Sequence, residues 1–368
     1  MRGLCMRLAI LGPSRNYVGA PFQGGQERFT ADLARGLTRR GHHVELWARE
    51  GTDVTLADQV HLMPDLPPLS ALTAADPDLP DPNFLYAQTF YVSAFRDLLR
   101  RRDIDAVLNE SLHQLPLAMS SLLQVPMVTT LHTPPLAWME MGAWLSGGSG
   151  HFVAVSDAVR RQWSGTVTSR VVHNGVDPDG FPLGPGGDGL AWAGRLTPEK
   201  GTDLAIRIAA EAGMELRIAG PISDPDWFDA VIAPQLGGSV TYLGALSGDE
   251  LAALYGSSAA TLVTPRWQEP FCLVAVESQM CGTPVVGFRR GGLPEVVSGV
   301  GGRLVATEGD DIGGLAQAID WVVSTDRRAI AARARRDFSL TRMIADYEQL
   351  LFELGAYPAA PMAEPLRA

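Results

Sequence analysis

The sequence predicts an α/β protein built as two domains, each a doubly wound parallel sheet flanked by helices. Three observations predict it. The chain has 368 residues, more than one core fills at about 150 residues per domain. Short apolar runs alternate with amphipathic helical stretches, the order that lays down a parallel sheet. The rhythm then breaks at the glycine-rich residues 184–189 and starts again.

From the N-terminus, an apolar strand over 8–11 leads through a glycine-bearing loop to a helix over 26–40, which Gly41 closes. A second strand follows over 44–48. Residues 64–83 carry Pro64, Pro67, Pro68, Pro77, Pro80 and Pro82, so they read as an irregular surface loop. The alternation resumes with a helix over 84–102, a strand over 106–109, a helix over 112–123, and strands over 127–131 and 152–155. Past the glycine-rich stretch it runs strand 190–193, helix 202–212, strands 215–219 and 240–243, helix 248–257, strand 260–263, helix 271–281, strand 284–287 and helix 294–298. Helices over 315–323 and 327–354 close it, and 356–368 read as a disordered tail. The domain boundary falls at 180/181. Two such domains imply a cleft, with ligands at the carboxyl ends of the strands.

Composition narrows the function. Thirty basic against 41 acidic side chains leave a net charge of −11, which argues against general binding to nucleic acid or to an anionic membrane. Membrane contact is expected to be absent or peripheral, and the arginine run Arg100-Arg101-Arg102 reads as solvated charge. Three cysteines, Cys5, Cys272 and Cys281, are neither a disulfide framework nor a zinc spacing. No apolar run approaches the roughly 20 residues of a membrane helix, and Arg7 interrupts any signal-peptide core. The expectation is a cytoplasmic protein with no metal and no cofactor.

One lysine, Lys200, stands among 30 basic residues; all the others are arginine. It lies in Gly194-Arg195-Leu196-Thr197-Pro198-Glu199-Lys200-Gly201, at a strand end where a compact point charge suits a phosphate, and arginine is no equivalent there. The second informative stretch is Trp267-Gln268-Glu269-Pro270-Phe271-Cys272-Leu273, running on to Glu277. Pro270 suits a first helical turn, so a helix is expected to begin there with Glu269 at its edge. Glu269 and Glu277 would then lie roughly 12 Å apart along the axis, too far for a glycosidase pair sharing one bond. They suit the two ends of an extended ligand, with the N–H groups of Phe271, Cys272 and Leu273 making a positive terminus for phosphate between them. Gly24-Gly25, after the first strand and before the first helix, permits close backbone approach to a second anion. Gly291-Gly292, before Pro294-Glu295, reads as a third such loop. Neither dinucleotide-binding nor P-loop glycine spacing occurs. Among seven histidines, His132 stands at the carboxyl end of a strand. His42, His43, His61 and His113 read as surface or loop residues, and His173 as structural or ligand-binding.

Gly24-Gly25, Leu131-His132-Thr133, Val153-Ala154-Val155-Ser156, Asn174-Gly175-Val176-Asp177, Gly194-Arg195 to Lys200-Gly201, Glu269-Pro270-Phe271 to Glu277, Gly282-Thr283-Pro284 and Gly291-Gly292-Leu293-Pro294-Glu295 together resemble a known family. It is the retaining nucleotide-sugar glycosyltransferases of the GT-B fold, the group-one family of glucosyl- and mannosyltransferases. The resemblance spans nearly the whole chain and is strongest over about 190–297. It implies two Rossmann-like domains facing a cleft: an acceptor-binding domain over 1–180, joined by a terminal helix at about 340–355 that crosses back, and a nucleotide-sugar domain over 181–339.

By the same resemblance, Arg195 and Lys200 hold the donor diphosphate, Glu277 the ribose, and Glu269 the sugar with the N–H groups of Phe271, Cys272 and Leu273. His132 sits over the sugar, Gly24 and Gly25 close on phosphates and acceptor, and Asn174 joins the substrate-binding set. The implied function is metal-independent transfer of a hexose, with retention, from a nucleotide diphosphate sugar, preferably a UDP-sugar, to a hydroxyl acceptor. A sugar-nucleotide-binding protein without turnover, and a phosphorylase or epimerase of the same fold, are the alternatives. The family usually has glycine where this chain has Cys272, so a side chain intrudes near the sugar.

Overall fold

The structure, a computed structural model, is described for residues 5–306 and 311–356. The tail expected over 356–368 falls outside the described residues from 357 on, as do residues 1–4 of the N-terminal reading. The chain divides into two compact units. One comprises residues up to Val155, Arg160–Val172 and the chain from Ile344; the other comprises Ser156–Val159 and His173–Met343.

The first unit is a seven-stranded sheet in the order β3-β2-β1-β4-β5-β6-β7, every pair parallel. Its strands are β1 (Arg7–Leu11), β2 (His43–Arg49), β3 (Gln59–Met63), β4 (Ala106–Asn109), β5 (Met127–Leu131), β6 (His151–Ala154) and β7 (Ser169–Val171). Parallel neighbours need crossover connections, and helices supply most of them: α1 (Gly25–Arg39), α2 (Ala71–Ala74), α3 (Pro82–Leu98), α4 (Gln114–Met119), α5 (Ala137–Leu145) and α6 (Asp157–Trp163). Helices on both faces leave the central strands buried throughout, and β4 and β5 expose no residue. α1 buries Phe29, Leu33 and Leu37 against that sheet.

The second unit is a six-stranded parallel sheet in the order β10-β9-β8-β11-β12-β13. Its strands are β8 (Leu190–Ala193), β9 (Leu216–Ala219), β10 (Val240–Tyr242), β11 (Ala260–Val263), β12 (Val285–Phe288) and β13 (Gly302–Val305). Its helices are α7 (Thr202–Glu211), α8 (Pro225–Trp227), α9 (Gly248–Gly256), α10 (Leu273–Met280), α11 (Leu293–Val296), α12 (Ile312–Val322) and α13 (Arg327–Phe338). Leu190, Trp192, Leu204, Ile208, Ile218, Leu262 and Ile319 form its core. The last helix, α14 (Leu340–Glu353), belongs to the first unit from Ile344 onward. In each sheet the strand order reverses at one place, between β1 and β4 and between β8 and β11. Ligands of doubly wound sheets bind at the carboxyl ends beside that reversal.

The structure corrects several sequence expectations. Residues 64–83 are not wholly irregular: Ser70 caps the short α2 and Asp81 caps α3, its Oδ1 accepting from Asn83 N at 2.8 Å. Pro82 therefore opens a helix, where its missing N–H costs nothing. Strands β3, β7 and β13, helices α5 and α6, and the helical stretch from Pro225 to Gln235 were not expected. The helix expected over 327–354 is two helices, because Ser339 leaves helical geometry to pair with Val176. Val176 N donates to Phe338 O and Leu340 N donates to Val176 O, both at 2.9 Å. A Cβ on Gly175 would meet Leu340 Cα at 2.6 Å, so glycine is what lets these segments touch.

Candidate active site

In the second unit the site grows from the carboxyl ends of β8 and β11, which pair side by side. After β8 the chain passes Gly194 and Arg195 and enters a single 3-10 turn, Pro198–Lys200. After β11 it passes Thr264, whose Oγ1 donates to Gly201 O at 2.7 Å and accepts from Trp192 Nε1 at 3.1 Å. Arg266 N donates to Glu199 O at 2.7 Å, and its guanidinium grips Asp203 in a fork at 2.6 and 2.7 Å. Gly201 is left-handed, at φ 69°, and a Cβ there would lie 2.1 Å from Thr264 O. These contacts hold the two loops edge to edge, which presents Lys200 to Glu269.

Lys200 Nζ meets Glu269 Oε2 at 2.8 Å and Oε1 at 3.1 Å. Trp267 Nε1 donates to the same Oε2 at 2.8 Å, and Lys200 Nζ stands 5.1 Å from the Trp267 ring centroid. Glu269 is only 9% exposed, and its charge is held by two donors, while the Trp267 face supports the Lys200 ammonium. Trp267 was quoted in the sequence motif without a role; the structure makes it a partner of both charged groups. Arg195 does not join them: among the described residues its ion pair is with Glu199 at 3.7 Å, on exposed side chains. Glu277 is buried on α10 and accepts from Tyr255 Oη at 3.3 Å.

The helix expected from Phe271 begins at Leu273. Cys272 has φ 80° and ψ 77°, a left-handed backbone that cannot continue a right-handed helix. The N–H groups at the mouth of α10 are therefore those of Leu273 and Val274, with no i−4 carbonyl inside the helix, while Phe271 and Cys272 form the turn before it. Cys272 is the one non-glycine residue with positive φ among the described residues. Burial pushes its thiol up to about 12, with Glu269 raising and Lys200 lowering it, so the sulfur lies among the site's charges. Cys272→Gly is expected to change stability by under about 1 kcal/mol, and Cys272→Val to cost about 2 kcal/mol or more, because a β-branched residue is an outlier there. Urea unfolding midpoints check this; equal losses in both would mean that packing, not backbone strain, sets the cost.

Gly291-Gly292 is not a third anion loop. Gly292 N donates to Glu269 O at 2.7 Å and Gly291 N to Gln268 Oε1 at 2.8 Å, so these N–H groups are spent on the segment bearing Glu269. The Glu295 carboxylate is engaged within the protein: it accepts from Asp157 N at 2.7 Å, Ala158 N at 2.9 Å and His173 Nε2 at 2.9 Å. His173 is thereby a structural partner. Asn174 is buried, and its Oδ1 takes no hydrogen bond among the described residues.

In the first unit the expected residues gather where α1, β4 and β5 meet. Gly24 caps α1 in extended geometry, and the buried Glu27 lies against that terminus, accepting from Asn16 Nδ2 at 2.9 Å. His132, following β5, bonds through Nε2 to Glu110 at 2.8 Å, and Phe29 of α1 packs edge-on to its ring at 4.9 Å. Sequence reasoning missed Glu110, because nothing in a lone glutamate at a strand end announces a partner 22 residues on. His42, expected on a surface, is buried: its Nδ1 accepts from Met6 N at 3.1 Å and its Nε2 meets Glu348 of α14 at 2.9 Å. His113 caps α4, accepting from Leu115 N at 3.2 Å, and burial lowers it to about 4. Of the arginine run, Arg101 is held by Glu45 and Asp103. No group of three or more metal-ligating side chains occurs among the described residues, and no helix there is long and apolar enough to cross a membrane.

Comparison with known proteins adds the following. Residues 23–179 match the family model described as Glycosyltransferase Family 4, and residues 189–337 match the one described as Glycosyl transferases group 1. The chain is similar to D-inositol 3-phosphate glycosyltransferase of Mycolicibacterium smegmatis, 34% identical over 221 residues that cover 52% of this chain and 50% of that protein. The same-named protein of Mycobacterium tuberculosis is 39% identical over 218 residues, covering 50% and 45%. The chain thus spans about half the length of the curated relatives it matches. Among solved structures, sucrose-phosphate synthase from Thermosynechococcus elongatus aligns with a TM-score of 0.73 at 20% identity, covering 95% of this chain and 99% of that one. HepE of Anabaena in complex with UDP-glucose gives 0.71 at 19%, covering 95% and 100%.

Proposed function

The chain belongs to the group 1 glycosyltransferases of GT-B fold, and on that premise we propose that it transfers a hexose from a UDP-sugar to a hydroxyl acceptor, with retention and without a metal. The observation that carries the proposal is the triad of Lys200, Glu269 and Trp267 beside the mouth of α10. The chain's only lysine and a buried carboxylate stand there next to helix N–H groups that have no carbonyl partner within α10, which suits a ligand with a diphosphate at one end and a polyhydroxyl ring at the other.

In this reading Lys200, Arg195 and the N–H groups of Leu273 and Val274 hold the diphosphate. Glu277 takes the ribose hydroxyls and Glu269 the sugar hydroxyls, next to Phe271 and Cys272. The bond from the anomeric carbon to the diphosphate oxygen breaks on the face where the acceptor oxygen arrives, through an oxocarbenium-like pair. The departing diphosphate takes the acceptor proton. Fixed cationic charge on the leaving oxygens is then the main source of rate. The first unit, with His132, Gly24, Gly25 and Asn109–Ser111 at its strand ends, takes the acceptor; the names of the relatives make an inositol phosphate the first acceptor to try. Localisation in the cytoplasm is part of the same proposal.

The test is a thermal-shift series with UDP, GDP, ADP, TDP and their sugars, with and without a chelator, followed by anomeric analysis of any product. A bound nucleotide at 100 times its Kd adds about 2.7 kcal/mol of apparent stability. The expected result is a chelator-insensitive shift with UDP and its sugars, and an α-linked product from an α-linked donor. No shift with any nucleotide, or an inverted product, overturns the reading.

A further inference from the structure

We infer that Glu110 is a positioning residue: it fixes the His132 ring with Nε2 protonated, so that Nδ1 is the nitrogen offered to a substrate hydroxyl. The hydroxyl's identity rests on the function proposed above; the geometry rests on the first unit alone.

Glu110 follows β4 at its carboxyl end and is wholly buried. Among the described residues its carboxylate meets two side chains. Oε2 stands 2.8 Å from His132 Nε2, and Oε1 accepts from Thr130 Oγ1 at 3.1 Å. Thr130 Oγ1 in turn lies 2.8 Å from Tyr347 Oη of α14. A carboxylate is acceptor-only, so both neighbours must donate to it. Thr130 has one hydroxyl proton, and with that committed to Glu110 its oxygen accepts from Tyr347. Every proton in the chain from Tyr347 through Thr130 to Glu110 therefore has one direction, and His132 supplies the remaining donor through Nε2.

A neutral imidazole protonated at Nε2 is an acceptor at Nδ1. Among the described residues none makes a hydrogen bond to that Nδ1. Phe29 packs edge-on to the ring at 74° and also packs on Tyr347 at 6.0 Å, and a 180° turn of the imidazole about χ2 would put a carbon in place of Nε2 opposite Glu110 and forfeit that hydrogen bond. Without Glu110 either tautomer is open to His132, and only one accepts from a hydroxyl at the Nδ1 position. The residue thus acts through His132 and touches no substrate.

The test uses the full chain with 15N-labelled histidine. Long-range proton–nitrogen spectra, with His132 assigned by its loss in His132→Gln, are expected to show Nε2 protonated in the wild type. Glu110→Gln keeps an acceptor oxygen and is expected to keep that tautomer and most of the turnover. Glu110→Leu is expected to mix the tautomers and lower kcat by about tenfold with nucleotide affinity unchanged. A wild-type His132 protonated at Nδ1 overturns the inference whether or not the variants fold, and so does an unaltered tautomer in Glu110→Leu. A purely structural role would lower the melting temperature of both variants and leave the tautomer alone. Should the wild type transfer no sugar at all, the function fails while the spectra still decide Glu110.

Discussion

Lys200→Ala is expected to lower kcat/KM for the donor by roughly 10²–10³-fold, the range for removing one fixed charge-stabilising group from a transition state. The loss should appear in nucleotide affinity as well as in turnover, because the diphosphate is charged in both ground and transition states. Lys200→Arg is expected to recover little. The ammonium fits between Glu269 Oε2 at 2.8 Å and the Trp267 ring at 5.1 Å, and a planar guanidinium needs more width and a different hydrogen-bond geometry. A sequence whose basic residues are otherwise all arginine has retained lysine at this position. Removing the ammonium also leaves Glu269 without its cation; with Lys200 itself 22% exposed, that costs about 1 kcal/mol of stability after solvent screening. Steady-state kinetics and calorimetric titration with UDP measure the first effect, and a denaturation curve separates the second from it. Full activity in Lys200→Arg would remove the ammonium from the mechanism.

Glu269→Ala is expected to act on a different quantity. If its carboxylate holds the sugar hydroxyls, kcat falls by about 10²-fold or more while affinity for UDP, which lacks the sugar, changes little. Glu277→Ala is the contrast, expected to weaken UDP binding. Because Lys200 and Glu269 share two contacts below 3.2 Å, the double variant Lys200→Ala/Glu269→Ala should lose much less than the product of the single losses. Losses that multiply would show that the two groups act on separate parts of the ligand without orienting each other. Wild-type activity in Lys200→Ala, Glu269→Ala and Glu277→Ala together would sink the site.

The readable and unreadable parts of this site differ in physical kind. Lys200, Glu269 and Glu277 were legible as candidates because each residue type implies a chemistry and each lies beside a strand end or in a helix that local pattern reveals. Trp267 was legible as a neighbour, but not as a hydrogen-bond donor, since a ring's direction depends on what packs behind it. Arg266 and Asp203 are 63 positions apart, and no periodicity connects them. The start of α10 was misplaced for a related reason. Pro270 is a sound first-turn residue by local preference, yet Gly292 N bonds Glu269 O from another strand end and Cys272 is left-handed, which delays the helix to Leu273. Tertiary contact overrode the local signal there, and Val176 did the same at Ser339.

The sequence by itself determined the class of fold, the alternation that makes two parallel sheets, and the strand ends at which ligands of such sheets bind. All three follow from patterns a few residues long: apolar strand, helix cap, glycine turn. Only the tertiary structure decided which side chains face one another: Lys200 with Glu269, Glu110 with His132 and, through Thr130, with Tyr347, and Glu295 with His173. The hydrogen bonds behind those pairings join residues from 20 to 217 positions apart. Hydrogen-bond geometry of that kind is set by the order of strands and the packing of helices on them, which no local stretch of chain encodes.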